Sequence, residues 1–600
     1  MKIRVSDYIA NFLAERGIVD VFTVTGGGAM HLNDAFGNHK KLHCTYNHHE
    51  QACAIAAESY ARLSGTIALV CVTSGPGGTN AMTGVLGGWL DSIPMLIISG
   101  QVKFSTTIKS TTIPLRQLGD QEFNITDSVR FMTKYSEMII NPEMILYNLE
   151  KALYLATHGR PGPVWLDIPL NVQGATIETD DLVKYDPEEN KAELPPELDT
   201  QLITIIMQKI RNAKCPVVLA GGGIRLSGGY ETFLNLIDAL GIPVVTAWNS
   251  HDLIPDDHAL YAGRPGTLGT RGGNFVVQNS DLVLSLGCRM NIRQISYNWE
   301  NFAKNAILIA VDIDKNELTK PTLSIDIPVQ ADVKVFMNKL LDEANKTPLV
   351  FNSKWLQWCK SINAKYPADL PKYYSVNTPV NPYVFMKKLS EHLSENEVTV
   401  TGNGSACVCS FQTMQIKKHQ RLYTNSGCAS MGYGLPAALG AAIALKGKRV
   451  ICLDGDGSIQ MNIQELQTIA HNKLNIKIFW LNNDGYHSIR QTQKNIFNSR
   501  FCGINESSGI SFPSAERIAT AYNLKFVRID SLDTMDKRIR EVLDGDIPVL
   551  CEVILDPSQN FEPKLSSKAL PDGTMVSASL EDMFPFLSDE EMESNKYSKD

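Results

Sequence analysis

The chain predicts an α/β protein of three doubly wound parallel-sheet domains followed by a C-terminal tail, and three observations carry that reading. Its 600 residues exceed what one hydrophobic core holds. Short apolar, β-branched runs ending in Gly-rich turns recur, each followed by a helix-like stretch: TIALVCVTSGPGGTN, CPVVLAGGG, LVLSLGC, AILIAVDID, RVICLDGDG and IKIFWLNNDG. Such alternation builds parallel sheets with crossover helices. The runs also cluster in three blocks separated by polar, Pro-containing connections, of which TIETDDLVKYDPEENKAELPPELD is the clearest.

The blocks place domains at 1–172, 195–345 and 375–560, with 561–600 as the tail. The first block opens on an amphipathic helix, MKIRVSDYIANFLAERG, which lacks the apolar core and cleavage site of a secretory signal, so the expected location is cytoplasmic. The tail has no strand–helix rhythm, and its final charged residues are expected to be disordered. An apolar fraction of 44% with 20% charged residues is that of a globular protein. A net charge of −8 and the lack of a Lys/Arg stripe argue against nucleic acid as a partner. No apolar run reaches membrane-spanning length, so no membrane partner is expected. Twelve cysteines lie scattered, mostly in apolar stretches, and Cys407 and Cys409 lack the second pair of a zinc site, so they read as buried free thiols of a reducing compartment.

The chemistry is concentrated in the third block. A strand over 449–453 delivers Asp454-Gly455-Asp456-Gly457-Ser458, a helix-like stretch follows, and a second strand ends in Asn482-Asn483-Asp484-Gly485. Asp456 and Asn483 thereby sit at the C-terminal ends of two strands, the edge at which parallel α/β sheets bind ligands. Both offer hard oxygen ligands suited to Mg²⁺ that leave positions for phosphate oxygens and water. The glycines allow close approach of a phosphate, which a following helix N-terminus favours.

A GDG turn followed 27 residues after its second acid by the second Asn of an Asn-Asn pair resembles the thiamine-diphosphate-binding signature. From about residue 3 to 557 the chain resembles the acetolactate synthase branch of that superfamily. The resemblance implies a pyrimidine-binding first domain, a central flavin- or nucleotide-binding-like domain and a diphosphate-binding third domain. It implies thiamine diphosphate and Mg²⁺ as cofactors, with Gly485 supplying a backbone carbonyl to the metal and Tyr486 and His487 beside it. Gly402-Asn403-Gly404-Ser405 resembles the loop that meets the diphosphate from the other side. Met431, in SMGYGLP, matches the methionine that props the cofactor into a bent shape, a use suited to a flexible apolar wedge. In the first block, Glu50 matches the glutamate that bonds N1′ of the aminopyrimidine and drives proton removal from C2. Pro76 and Asn80 belong to the matching TSGPGGTN loop, and Gly27 to a Gly-Gly that leaves room beside the thiazolium.

On the substrate side, Gln121 matches a pocket glutamine, Lys134 a lysine near the access channel, and Arg293 an arginine that holds the second substrate's carboxylate. Departures fall here too. The family's Asp-Asp before that arginine is Asn291-Ile292, and its tryptophan after the Asn-Asn turn is nearest to Thr492. The implied reaction is decarboxylation of a 2-oxo acid, with pyruvate as the donor, and acyl transfer to a second carbonyl compound. A keto sugar of a surface-polysaccharide pathway as acceptor, a non-ligating decarboxylase, a flavin oxidase and an inactive relative stay open. FAD, ADP or an empty central domain stay open as well, because the loop GRPGTLGTRGGN departs from the family's flavin-facing wording. The resemblance also implies a homodimer or homotetramer with active sites between subunits.

Overall fold

The computed structural model describes residues 1–349, 353–569 and 575–598. Its first parallel sheet runs, edge to edge, His43–Tyr46, Asp20–Thr23, Leu69–Val72, Met95–Gln101, Pro163–Pro169 and Tyr135–Met138. The second runs Val244–Thr246, Pro216–Ala220, Leu282–Leu286, Ile307–Asp312 and Ile327–Gln330. The third runs Arg421–Tyr423, Val398–Thr401, Val450–Gly455, Ile476–Asn482, Val549–Ile554 and Lys525–Ile529. Strands such as Met95–Gln101 and Pro163–Pro169 are buried throughout, as continuous apolar runs covered by helices on both faces should be. The predicted fold class is therefore the observed one.

Counted along the chain within each sheet, the first and third share the strand order 2-1-3-4-6-5, and the second is 2-1-3-4-5. Each order reverses direction between its first and third strands. A crevice opens at such a switch point, beyond the carboxyl ends of the strands. The three switch points carry Gly26–Gly28 with Thr73–Asn80, Gly221–Gly223 with Gly287, and Gly402–Ser405 with Asp456.

One hydrophobic core joins the first and third sheets. Helix Glu50–Ser64 packs against helices Pro76–Asp91 and Gly434–Ala444, all three rich in Ala and Gly. Small side chains are required there: a Cβ on Gly440 would lie 2.0 Å from the Ala56 carbonyl oxygen. A buried cluster seals the same seam. The Arg62 guanidinium pairs with Glu58 and, at 2.8 Å, with Asp91, while the Tyr433 hydroxyl donates to Glu58 at 2.8 Å.

Two expectations need correction. The described part of the tail is ordered against the central domain, because its polar groups find partners far away in sequence. Tyr366 donates to Glu591, Lys365 to Asn595, and the Tyr597 ring packs edge-on against Trp355 and Trp358. The connection before the third domain is likewise structured: it holds helix Ser353–Lys365, whose buried Trp355 donates to the Pro216 carbonyl. All twelve cysteines are free and most are buried. Among the described residues, no helix is long and apolar enough to cross a membrane.

Candidate active site

The third switch point gathers oxygen donors. Strand Val450–Gly455 delivers the Asp456 carboxylate, which accepts from the backbone N–H groups of Gly457 and Gly485, both at 2.8 Å. Burial pushes the Asp456 carboxyl up to about 7, with backbone donors acting the other way, so a cation beside it would favour the charged form. Asn483, just past strand Ile476–Asn482, donates through Nδ2 to the Ser405 hydroxyl at 3.1 Å, and its Oδ1 has no hydrogen bond among the described residues. Gly485 has φ +108°, and a Cβ there would lie 1.8 Å from the Ile504 carbonyl oxygen, so only glycine fits the turn. No group of three His, Cys, Asp or Glu side chains that could hold a metal occurs among the described residues. One carboxylate, one amide oxygen and one carbonyl instead fit a hard cation that shares its shell with a ligand's phosphate oxygens.

Around this centre, Asn403 donates to the Asn425 Oδ1 and the Ser430 carbonyl, tying the Gly402–Ser405 loop to the turn before Met431. The Gly432 N–H donates to the Ser458 hydroxyl. Met431 is 37% exposed, an apolar side chain projecting from a turn that is otherwise hydrogen-bonded in place. No atom lies within 4 Å of a Cβ position on Gly455, so the floor of the crevice is open. His487 opens helix His487–Ile496 with its Nε2 2.7 Å from the Gln559 carbonyl, and burial holds its ring down to about 4, hence neutral. The Tyr486 ring lies against Gly457, where a Cβ would meet it at 2.3 Å.

The first switch point presents Glu50. This residue begins helix Glu50–Ser64, is 9% exposed, and accepts through Oε2 from the Asn80 amide at 2.9 Å. A neutral donor orients the carboxyl without neutralising it, and its other oxygen has no hydrogen bond among the described residues. Asn80 and Pro76 sit in the first turns of helix Pro76–Asp91. Gly28 donates to the Thr73 hydroxyl at 3.0 Å, which brings Gly27 over the same crevice, and a Cβ on Gly27 would meet nothing within 4 Å. Gln121 is exposed, with φ +59°, and its carbonyl presses on Gly75 at the mouth of the loop.

Within one chain the two half-sites are linked by Gln51, which accepts from Asn462, itself bonded to the Gly432 carbonyl, and by Asn47, which donates to Glu465. Arg293 lies on the short helix Ile292–Ile295 with its guanidinium over the Trp248 ring, 4.9 Å from the centroid, near Cys407 of helix Ser405–Thr413. Lys134 is not brought into this group. Its backbone pairs with Pro163 at the start of strand Pro163–Pro169, and its ammonium donates to the His158 carbonyl at 2.6 Å, at the opposite edge of the first sheet. Reading the sequence also missed Gln491 and Lys564, which stand beside His487. Only an isolated lysine in an aperiodic segment signals the second of these.

The second switch point opens a cavity of about 460 Å³ whose walls include Gly222, Gly287, Arg289 and Asp312. Burial pushes the Asp312 carboxyl up to about 6. The two arginines of the loop GRPGTLGTRGGN are engaged elsewhere. Arg264 is buried, paired with Asp256 and donating to the Phe411 and Met414 carbonyls, and Arg271 donates to the Met583 and Pro585 carbonyls.

Two sheets of matching strand order, one with a buried carboxyl at its switch point and the other with a glycine-rich turn and oxygen donors, fit a thiamine-diphosphate-dependent enzyme. The chain belongs to the thiamine pyrophosphate enzyme family: residues 3–122 match its N-terminal TPP binding domain, 203–340 its central domain and 402–553 its C-terminal TPP binding domain. Its similar relatives include the acetolactate synthase large subunit of Lactococcus lactis, 32% identical over 93% of this chain and 94% of the relative. The acetolactate synthase isozyme 1 large subunit of Escherichia coli is 28% identical over 93% of this chain and 95% of its own length. A probable acetolactate synthase large subunit of Methanococcus aeolicus is 31% identical over 90% of each chain.

Proposed function

We propose that the protein decarboxylates a 2-oxo acid, pyruvate in the first instance, and transfers the remaining acyl group to a second carbonyl compound. Bound thiamine diphosphate supplies a carbon nucleophile and an electron sink for the carbon left when carbon dioxide departs. Asp456, the Asn483 amide oxygen and the Gly485 carbonyl would hold its Mg²⁺, and Gly402–Ser405 and Gly455–Ser458 its diphosphate. Glu50 holds and returns a proton at the pyrimidine nitrogen, and Asn80 keeps its carboxyl aimed. Met431 would pack against the cofactor as a flexible apolar support. Gly27 and Gln121 shape the donor pocket, and Arg293 binds the acceptor's negative group.

The carrying observation is Glu50: a 9%-exposed carboxyl at a helix start, held by one neutral donor, with an oxygen to spare. The test is incubation with pyruvate, thiamine diphosphate and Mg²⁺, following carbon dioxide and identifying products by NMR. Carbon dioxide release that Glu50→Gln lowers by ~10²–10⁴-fold, with cofactor still bound, is the expected result. Equal rates for the two proteins would overturn the role of Glu50.

Acyl transfer to a keto sugar, rather than to a second 2-oxo acid, is favoured by Thr492. It stands exposed on helix His487–Ile496, where the family carries a large tryptophan, and so leaves room for a larger acceptor. The central cavity is the place for FAD, or for its ADP portion alone, since the loop's own arginines do not face it; a flavin would register as visible absorbance of the purified protein. Exposed Met30, Tyr46 and Phe123 near the first half-site, and Ile489 and Phe497 near the third, support a homodimer or tetramer that covers them. Twelve free thiols support a reducing, cytoplasmic setting.

A further inference from the structure

Most arginines of the interior are matched to acids. Arg62 pairs with Glu58, Arg160 with Glu317, Arg225 and Arg421 with Asp252, and Arg264 with Asp256. Some cations have no acid partner among the described residues: Arg271 and Lys477 are held by backbone carbonyls, whereas Arg293 and Lys564 are not. The Arg293 guanidinium has the Trp248 ring as its partner and no ion pair among the described residues. Among the described residues, the Lys564 ammonium has the Gln491 amide oxygen, at 3.5 Å, and no ion pair.

Their backbones are neighbours. The Arg293 carbonyl accepts from the Thr267 N–H at 2.8 Å, and the Thr267 carbonyl accepts from the Leu565 N–H at 2.8 Å, so Thr267 alone separates the Arg293 backbone from that of the residue after Lys564. The Lys564 backbone is pinned by a double exchange with Phe584, at 3.0 and 2.8 Å. Gln491 lies one helical turn after His487 and its amide nitrogen is 2.8 Å from the imidazole, which places the Lys564 ammonium against the cofactor loop. Burial holds that ammonium below its usual range, with nearby Glu562 acting the other way. A partly desolvated cation without a counter-charge costs free energy until an anion arrives.

We propose that Lys564 and Arg293 together form the acceptor site and that the acceptor carries a phosphate or diphosphate group. This rests on the acyl-transfer reading above and names the chemistry of its second substrate. One carboxylate is satisfied by one arginine. A planar fork beside a point charge suits the greater charge and spread oxygens of a phosphate. The Asn291-Ile292 pair places no carboxylate next to Arg293 in sequence, and Thr492, which follows Gln491, is exposed.

The test compares dihydroxyacetone phosphate with dihydroxyacetone, by calorimetry on enzyme saturated with thiamine diphosphate and Mg²⁺. The phosphate is expected to tighten binding by about tenfold or more, as charged hydrogen bonds do. Lys564→Met and Arg293→Met should each remove most of that preference, Lys564→Arg should keep it, and thiamine diphosphate affinity should stay within about twofold throughout. No phosphate preference in the unmodified protein overturns the proposal, and this needs no variant to fold. A preference untouched by Lys564→Met overturns it too, as does a loss of thiamine diphosphate affinity instead, which would assign Lys564 to the cofactor's own diphosphate. Failure of the acyl-transfer reading registers separately, as no carbon dioxide from pyruvate or as carbon dioxide with acetaldehyde the sole other product.

Discussion

In the proposed mechanism, the Asn80–Glu50 hydrogen bond is where a single side chain decides chemistry. A carboxyl that must share a proton with a ring nitrogen needs a fixed direction and an uncompensated charge, and an amide donor provides both where an arginine would hold it permanently ionised. Asn80→Ala is therefore expected to lower kcat by about tenfold, the worth of one hydrogen bond to a charged group, while thiamine diphosphate affinity changes little. Steady-state kinetics beside a cofactor titration separates the two. A fall in affinity without a fall in kcat would make Asn80 a cofactor ligand only. Gly485 decides by exclusion: at φ +108°, with a carbonyl where a Cβ would stand, it permits no other residue.

At the scale of elements, strand Pro163–Pro169 carries a cost that pH reveals. Asp167 is fully buried and accepts from the Ser99 hydroxyl at 2.5 Å and the Gln101 amide at 3.1 Å. Burial outweighs those donors and pushes its carboxyl up to about 7. A folded-state value above the unfolded one means the folded chain binds the extra proton between the two. This contribution to stability is complete below about pH 4 and is lost as pH rises towards 7, with a slope approaching about 1.4 kcal/mol per pH unit. Asp167→Asn should flatten that slope in denaturant titrations between pH 4 and pH 7; an unchanged slope would mean that other groups carry the pH dependence. The same element scale explains the helix seam, where Ala and Gly on three helices allow a backbone approach that larger side chains would block.

At the scale of the whole molecule, the first and third sheets repeat one strand order and turn their switch points to complementary tasks. If Glu50 of one subunit serves Asp456 of another, two inactive variants should rescue each other. Mixing Glu50→Gln with Asp456→Ala under conditions of subunit exchange should restore up to about a quarter of full activity, because half the subunits pair as mixed dimers and each of those rebuilds one intact site. No recovery after demonstrated exchange would place both groups in a single chain.

The sequence by itself determined the class of fold and the Gly-Asp-Gly turn at its ligand-binding edge. Strand, GDG, helix, strand and Asn-Asn are local patterns, and a parallel sheet must deliver the ends of adjacent strands to one edge. No apolar run reaches membrane-spanning length, and no helix among the described residues does. What the sequence could not specify were partners chosen by packing. Asn80 reaches Glu50 from 30 residues away, and Lys134 turns to the opposite sheet edge. Tail residues that read as a charged, aperiodic end fold back because Trp355, Trp358 and Tyr366 offer them an apolar and hydrogen-bonded seat. Periodicity reports how a segment buries its own faces. Which distant surface it meets depends on the volumes and unpaired groups of every other segment, and only the tertiary structure brings those together.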